Sequence, residues 1–379
     1  MPAHSTGLVF DERFLHHDTG VEAMVMTRHG SFAIDPAVHP SSTQITRRIK
    51  QFLDGAGLTD CMQPIAARAA TEAELLAYHT REYIAGVRAH AEGGPARGTW
   101  GEIEEDTPLS SGSFEAALYA VGGALEATRA VLDGAVSNAY ALLRPPGHHA
   151  LSNRGMGYCL LNNAALAAHY ARAMYGLERI MIVDWDVHHG NGTQDAFYTD
   201  PSVLFVSLHQ HNWYPKLSGE LDQVGNGVGA GYTVNIPLPA GTGDRGYRAA
   251  FEQLVVPIGL SYRPQLIIIS AGQDASWLDP LAQMCVTMAG FRAMSSLLLD
   301  LARDVCDGRL VMLQEGGYSL PYTPYCTVSA VEPLLGVDLG IVDLYAGSDE
   351  LERSATVFSR ATREALTEAR AWHKHWWKI

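Results

Sequence analysis

Residues 180–190 read Ile180-Met181-Ile182-Val183-Asp184-Trp185-Asp186-Val187-His188-His189-Gly190, an uncharged apolar run that passes directly into a row of acids and histidines. The first four residues show no polar alternation, the pattern of a strand covered by helices on both faces. Two further segments repeat the design. Leu266-Ile267-Ile268-Ile269 leads to Gly272-Gln273-Asp274, and Leu310-Val311-Met312-Leu313 leads to Glu315-Gly316-Gly317-Tyr318. A fourth, Ala139-Tyr140-Ala141-Leu142-Leu143, runs into Arg144-Pro145-Pro146-Gly147-His148-His149. Ligands of open α/β sheets gather at the carboxyl ends of parallel strands, so these polar strand ends predict one shared site. The expected fold class is α/β: a single-domain, open, mostly parallel sheet flanked by helices.

Residues two apart on an extended chain project to the same side, so Asp186 and His188 can approach one cation together, with Asp274 as the third ligand. Two carboxylates and an imidazole suit Zn²⁺ with an open fourth position, and also tolerate Fe²⁺ or Co²⁺. Acids at strand–helix turns also serve as helix N-caps. The convergence of three strand ends argues against that use here. His148 and His149, near-neutral bases on a Pro-Pro-Gly turn, can take a proton from water and return it to a leaving group, with Asp184 and Asn191 available to fix their tautomers. Tyr318 follows two glycines that permit close backbone approach, and its phenol can donate to a developing oxyanion.

Together with Tyr78-His79-Thr80-Arg81-Glu82-Tyr83, Asp106-Thr107-Pro108, Gly155-Met156-Gly157-Tyr158-Cys159, Asp184 through Thr193, Ser207-Leu208-His209-Gln210-His211 and Asp274 through Pro280, these motifs stand in an order that resembles the histone-deacetylase superfamily, and within it the bacterial class II-like amidohydrolases. Each string alone is weak; the ordered set, from Tyr78 to about Val331, is specific.

The resemblance implies an arginase/deacetylase-like fold and an enzyme that removes acyl groups, acetyl foremost, from acylated lysine or a related amine. It implies zinc held by Asp186, His188 and Asp274. His149, oriented by Asn191, would be general base and then acid, while His148 paired with Asp184 would tune the electrostatics. Tyr318 would polarise the amide carbonyl. Tyr158 and Tyr214 would wall a narrow acyl-lysine tunnel, Leu281 would line its mouth, and the Gly157 carbonyl would receive the scissile amide N–H. The family's rim acid would be Glu104 or Asp106, the register left open because Glu102 and Glu105 crowd the same stretch. The family also implies K⁺ or Na⁺ at two places. One uses Asp184, the main chain of Asp186, His188 and Leu208, and the Ser207 hydroxyl; the other uses Phe197, Asp200, Val203 and Tyr232.

Two departures bear on detail. Asn191 stands where part of the family has Asp, which should leave His149 less basic. Gln273 stands where Phe is usual, and strand alternation points its side chain away from Asp274 into a hydrogen-bonded setting. Competing readings fare worse. A binuclear manganese ureohydrolase needs acids where Gly190 and Ser276 stand, and a non-catalytic acyl-lysine reader would be expected to lose Tyr318, a histidine or a ligand. The substrate stays open among acyl-lysine in proteins or peptides, acetylpolyamines and a specialised small amide.

The chain has 379 residues, with 27 basic against 41 acidic side chains and a net charge of −14, opposite to a nucleic-acid footprint. That acidity tilts slightly toward cationic substrates. No linker or repeat interrupts it, and Glu92 to Pro108 reads as a loop on the active-site side. No apolar run reaches the roughly 18 residues of a membrane span. No basic region followed by an apolar core opens the chain, so no signal peptide is expected. Five scattered cysteines without metal-finger spacing suggest a reducing cytoplasm, with Cys159 read as packing. Ser348 to Ile379 is expected to form a helix docked on the single catalytic domain (1–379), with Leu351, Phe358, Leu366, Ala369, Trp372 and Trp376 on one face. A Trp-rich face left exposed would instead mark a homo-oligomer surface. His373 and His375 are expected on the surface.

Overall fold

The computed structural model describes residues 5–27, 30–93, 106–345 and 357–379. The strands among the described residues are β1 (Thr6–Val9), β2 (Val21–Thr27), β3 (Gly30–Val38), β4 (Gln63–Ile65), β5 (Asn138–Ala141), β6 (Ile180–Asp184), β7 (Val203–Gln210), β8 (Thr233–Leu238), β9 (Leu266–Ala271) and β10 (Leu310–Gln314). Eight of them form one sheet in the order β4-β1-β5-β10-β9-β6-β7-β8, with every pairing parallel. The remaining pair, β2 and β3, makes a separate antiparallel ribbon.

The uncharged runs are explained by burial on both faces. Met181 and Val183 of β6 pack into one core with Ile267, Ile269 and Met312, while Ile180 and Ile182 pack into the opposite one with Ile268, Val311 and Leu313. Each is fully buried, and such a side chain stabilises the fold by roughly 1.5–3 kcal/mol. Helices cover both cores: Ser113–Leu132 and Asn163–Tyr175 lie on the second, Met288–Cys306 and Thr323–Leu335 on the first. Local capping sets their limits. The Asn162 side chain accepts from the Ala165 N–H at the start of Asn163–Tyr175, and Gly176 ends it at φ 66°.

The sheet order matters for function. β5, β10, β9 and β6 are consecutive neighbours, so the four polar strand ends emerge side by side at one edge of the sheet.

At the C-terminus the structure corrects the expected helix. Among the described residues it runs from Arg360 to His373, capped by the Ser359 side chain, while 357–359 are not helical. Residues 346–356, including Leu351, lie outside the described ones. Leu366, Ala369 and Thr362 face inward as an apolar stripe should, but Trp372 and Trp376 are 42% and 48% exposed. A 3.6-residue period places position 373, four and seven after the buried Ala369 and Leu366, over the sheet instead. Accordingly His373, expected at the surface, is buried, with Nε2 3.0 Å from the Asn235 carbonyl of β8. Burial holds its pKa below the ordinary histidine value. His375 is exposed, as expected. Trp377 completes the docking by donating to the Gly231 carbonyl. Among the described residues no helix is long and apolar enough to cross a membrane.

Candidate active site

Where β6 ends, the backbone fixes the alternate side chains of the Asp184–His188 segment. Asp186 N–H donates to Asp184 Oδ1 at 3.1 Å, and His188 N–H donates to Asp186 Oδ1 at 3.0 Å. Asp274, beyond β9, accepts from Val187 N–H at 2.8 Å, and Gly316, beyond β10, donates its N–H to Asp186 Oδ2 at 2.9 Å. Three strand ends are thereby tied to one point. His188 Nδ1 lies 3.2 Å from Asp186 Oδ1 and 3.1 Å from Asp274 Oδ2, and the three buried side chains each bring a ligand atom within 4.8 Å of the others. The electrostatics of the cluster suit a cation. Burial pushes the Asp274 carboxyl up, and it would lower His188, yet the hydrogen bonds and charges of Asp186 and Asp274 lift that imidazole to about 10. Two buried carboxylates call for a cation, and the O/O/N donor set fits a zinc-type ion.

Gly316 is required by space. A Cβ there would stand 2.5 Å from Asp274 Oδ2, 2.7 Å from Asp186 Oδ2 and 2.9 Å from the Tyr318 hydroxyl, so any side chain would enter the ligand cluster. The same distances put the Tyr318 hydroxyl beside the two carboxylates.

The tandem histidines divide. His148 Nδ1 is 2.9 Å from Asp184 Oδ2, and His149 Nδ1 is 2.8 Å from Asn191 Oδ1, with ring centroids 4.0 Å apart. Burial opposes charge on His148, but Asp186 and Asp184 outweigh it and hold its pKa well above the ordinary value. For His149 burial is reinforced by His148 and His188, and its pKa falls well below 6.5. Asn191 Oδ1 can only accept, so His149 Nδ1 carries the hydrogen of that bond and Nε2 is the nitrogen left to act as a base. Of the two, only His149 lines the adjoining cavity.

That cavity, about 180 Å³, is lined by Asp106, His149, Gly157, Tyr158, His188, Tyr214, Leu281 and Tyr318. All the residues expected at the tunnel are therefore brought together except Glu104, which, like Glu102 and Glu105, falls outside the described residues. Asp106 accepts from Gly157 N–H and from the Tyr214 hydroxyl, each at 3.3 Å. Gly157 sits at φ 54°, and a Cβ there would meet the His149 ring.

Residues 39–334 match the histone deacetylase domain family. The chain belongs to the histone deacetylase family. It is 38% identical to a histone deacetylase-like amidohydrolase of Pseudomonas aeruginosa, over 97% of this chain and 95% of that one. It is 37% identical to a probable deacetylase of Archaeoglobus fulgidus, over 89% and 88%, and 38% identical to histone deacetylase 8 of Arabidopsis thaliana, over 89% of each. The crystal structure of the HDA15 HD domain superposes with a TM-score of 0.85 at 36% identity, covering 99% of this chain and 95% of that chain. The protein is thus a hydrolase of the deacetylase/amidohydrolase type.

The family motifs hold further residues to which the sequence reading gave no role. Asp279 accepts from Tyr318 N–H at 2.7 Å and from Leu281 N–H at 2.9 Å, so one carboxylate sets both the phenol and the tunnel mouth. Burial, then the Asp274 charge, pushes its carboxyl up to about 8. Glu315 accepts from Gly147 N–H at 2.7 Å, His148 N–H at 3.3 Å and the Ser270 hydroxyl at 3.2 Å, stapling the histidine turn to β9 and β10. The position of both within quoted motifs was the available signal.

Gln273, the departure from the family pattern, belongs to a buried chain. The Tyr140 hydroxyl donates to Gln314 Oε1 at 2.8 Å, Gln314 Nε2 donates to Gln273 Oε1 at 2.5 Å, and Gln273 Nε2 donates to the Ala271 carbonyl at 2.9 Å. Replacing Gln314 by leucine would leave the Tyr140 hydroxyl and the Gln273 carbonyl buried and unpaired. A loss of about 1–3 kcal/mol is expected, read as a lower midpoint in urea unfolding with an unchanged slope. An unaltered midpoint would mean that the chain of amides gives no net stabilisation.

The residues named for monovalent cations lie in two places. Asp184 pairs with Ser207 across the β6–β7 register, and Leu208 follows on β7. Phe197, Asp200 and Val203 lead into β7 while Tyr232 precedes β8; the Asp200 carboxylate is engaged by Arg172 at 2.6 Å and by Ser202 N–H at 2.9 Å.

Proposed function

We propose that this protein is a zinc-dependent deacylase that removes acetyl groups from acylated lysine side chains of peptides or proteins. The observation that carries this reading is a cavity with His188, His149 and Tyr318 at its lining and aromatic walls from Tyr158 and Tyr214. Flat aromatic walls favour a methylene chain, and Asp106 at the lining favours a cationic or N–H-bearing neighbour over an anionic one.

Zinc on Asp186, His188 and Asp274 supplies Lewis-acid polarisation of the carbonyl and a more acidic water. The chain's own residues do the rest. His149 Nε2 takes a proton from the attacking water and hands it to the departing amine nitrogen, while Asn191 holds the imidazole in the required tautomer. Tyr318 donates its O–H to the carbonyl oxygen as negative charge develops there. The Gly157 carbonyl accepts the amide N–H and so fixes the acyl group's orientation. The C–N bond is exchanged for a C–O bond, giving acetate and a free amine. His148, clamped by Asp184, places a charge beside His149. We extend the reading to K⁺ or Na⁺ held by Asp184, Ser207 and the neighbouring main chain, and to Phe197, Asp200, Val203 and Tyr232 as a second position. Five cysteines, none of them in a disulfide, fit a cytoplasmic setting.

Tyr318→Phe keeps the ring and deletes the donor. It should lower kcat by roughly 10²-fold or more with zinc content and KM little changed. A change confined to KM would make Tyr318 a binding group. The substrate is tested by comparing kcat/KM for acetyl-lysine peptides, a trifluoroacetyl-lysine peptide and acetylpolyamines on zinc-loaded protein. Acetyl-lysine peptides are expected to lead. A clear preference for acetylpolyamines would move the substrate class to free amines, and cleavage of an unrelated small amide alone would refute the acyl-lysine assignment.

A further inference from the structure

We propose that His148, Cys159 and Glu315 form a second, inhibitory site for a thiophilic divalent cation, Zn²⁺ or Cd²⁺, beside the catalytic histidines. Each of the three brings one ligand atom within 4.8 Å of the others, and all are buried. The set is chemically distinct from the first site. Sulfur, nitrogen and oxygen donors suit a borderline or soft cation, whereas Asp186, His188 and Asp274 offer no sulfur.

The surroundings of these three residues are those of a supported metal site. His148 Nδ1 is bonded to Asp184, which makes Nε2 the nitrogen that binds a cation once its proton leaves; an imidazole held from behind by a carboxylate is the usual arrangement of a metal-ligating histidine. Glu315 is held by three donors, the N–H groups of Gly147 and His148 and the Ser270 hydroxyl, which fix its carboxylate while leaving oxygen lone pairs unused. Asp186 adds nearby negative charge, with Oδ1 3.7 Å from His148 Nε2. Cys159 is a free cysteine with no part in the proposed hydrolysis. A cation binding there displaces two protons into solvent, one from the Cys159 thiol and one from His148 Nε2, so this site fills after the carboxylate-rich one.

Occupancy would replace the His148 proton by a dication, raising the positive charge on the ring whose centroid is 4.0 Å from that of His149. Protonation of His149 during turnover is thereby opposed, and the cation inhibits. The inhibitory effect rests on the deacylase reading; the binding does not.

The test is to titrate metal-free protein with Co²⁺ and follow the near-ultraviolet thiolate-to-cobalt charge-transfer band, alongside Zn²⁺ titration with stoichiometry and turnover both measured. Wild-type protein should bind two equivalents, with the thiolate band growing only with the second. Turnover should rise with the first zinc and fall about tenfold or more with the second, within the roughly 10²- to 10⁴-fold that acid–base catalysis supplies. Cys159→Ala and Cys159→Ser should bind one equivalent, show no band, keep basal turnover and escape the inhibition. Absence of the band from wild-type protein, or a second equivalent and inhibition that persist in both variants, would overturn the proposal. The band and the stoichiometry report on this site even if no acyl-lysine is hydrolysed, so a failure of the deacylase reading remains distinguishable from a failure of this one.

Discussion

Asp274→Ala is expected to lose bound metal and to lower amide hydrolysis by roughly 10³-fold or more, since Lewis-acid activation is worth several kcal/mol and each 1.36 kcal/mol is tenfold in rate. The structural reason is specific. Asp274 is fully buried, closes the ligand set against His188 Nδ1 at 3.1 Å and holds the loop through Val187 N–H at 2.8 Å. Alanine removes a ligand and leaves two donors facing a void, and a three-ligand site does not hold its geometry with two. Asp186→Ala and His188→Ala should behave alike. Metal content of each purified variant, measured beside kcat, decides the matter: stoichiometric metal with retained turnover would remove that residue from the site.

His149→Ala should be the most damaging change that leaves the metal ligands intact, costing about 10²- to 10⁴-fold in kcat, the range of general acid–base catalysis. His148→Ala should cost distinctly less. The two imidazoles share a backbone turn but not an environment. His149 lines the cavity, where burial and the neighbouring His148 hold its pKa down, whereas Asp186 and Asp184 outweigh burial to hold that of His148 up, and His148 does not line the cavity. Measured with the same acetylated peptide and checked for equal zinc content, equal losses would abolish this division of roles.

Much of this was legible in the chain because the chemistry sits at strand ends. Ile180–Val183, Leu266–Ile269 and Leu310–Leu313 are uncharged on both alternating faces, which only doubly covered parallel strands require, and each run stops where its polar residues begin. What the one-dimensional pattern does not contain is lateral order: that β5, β10, β9 and β6 are consecutive neighbours follows from the crossovers alone. The supporting hydrogen bonds were equally hidden. Asp279 reaches Tyr318 and Glu315 reaches Gly147 through backbone N–H groups, which leave no trace in residue type. The C-terminal helix misled for another reason. Large indoles at Trp372 and Trp376 weigh heavily in any apolar stripe, but the small Ala369, Thr362 and the imidazole of His373 are what the helix buries, Thr362 against Thr242 and His373 against β8, where the Asn235 carbonyl accepts its N–H.

The central claim is that a cation held by Asp186, His188 and Asp274 makes this tunnel an amide hydrolase. It is tested most directly by stripping the purified protein of metal, verifying its removal, and adding zinc back toward one equivalent while acetate released from an acetyl-lysine peptide is measured. The account predicts background release from metal-free protein and a rise in proportion to zinc bound, reaching full turnover at one equivalent. Undiminished acetate release from protein verified to be metal-free would contradict it.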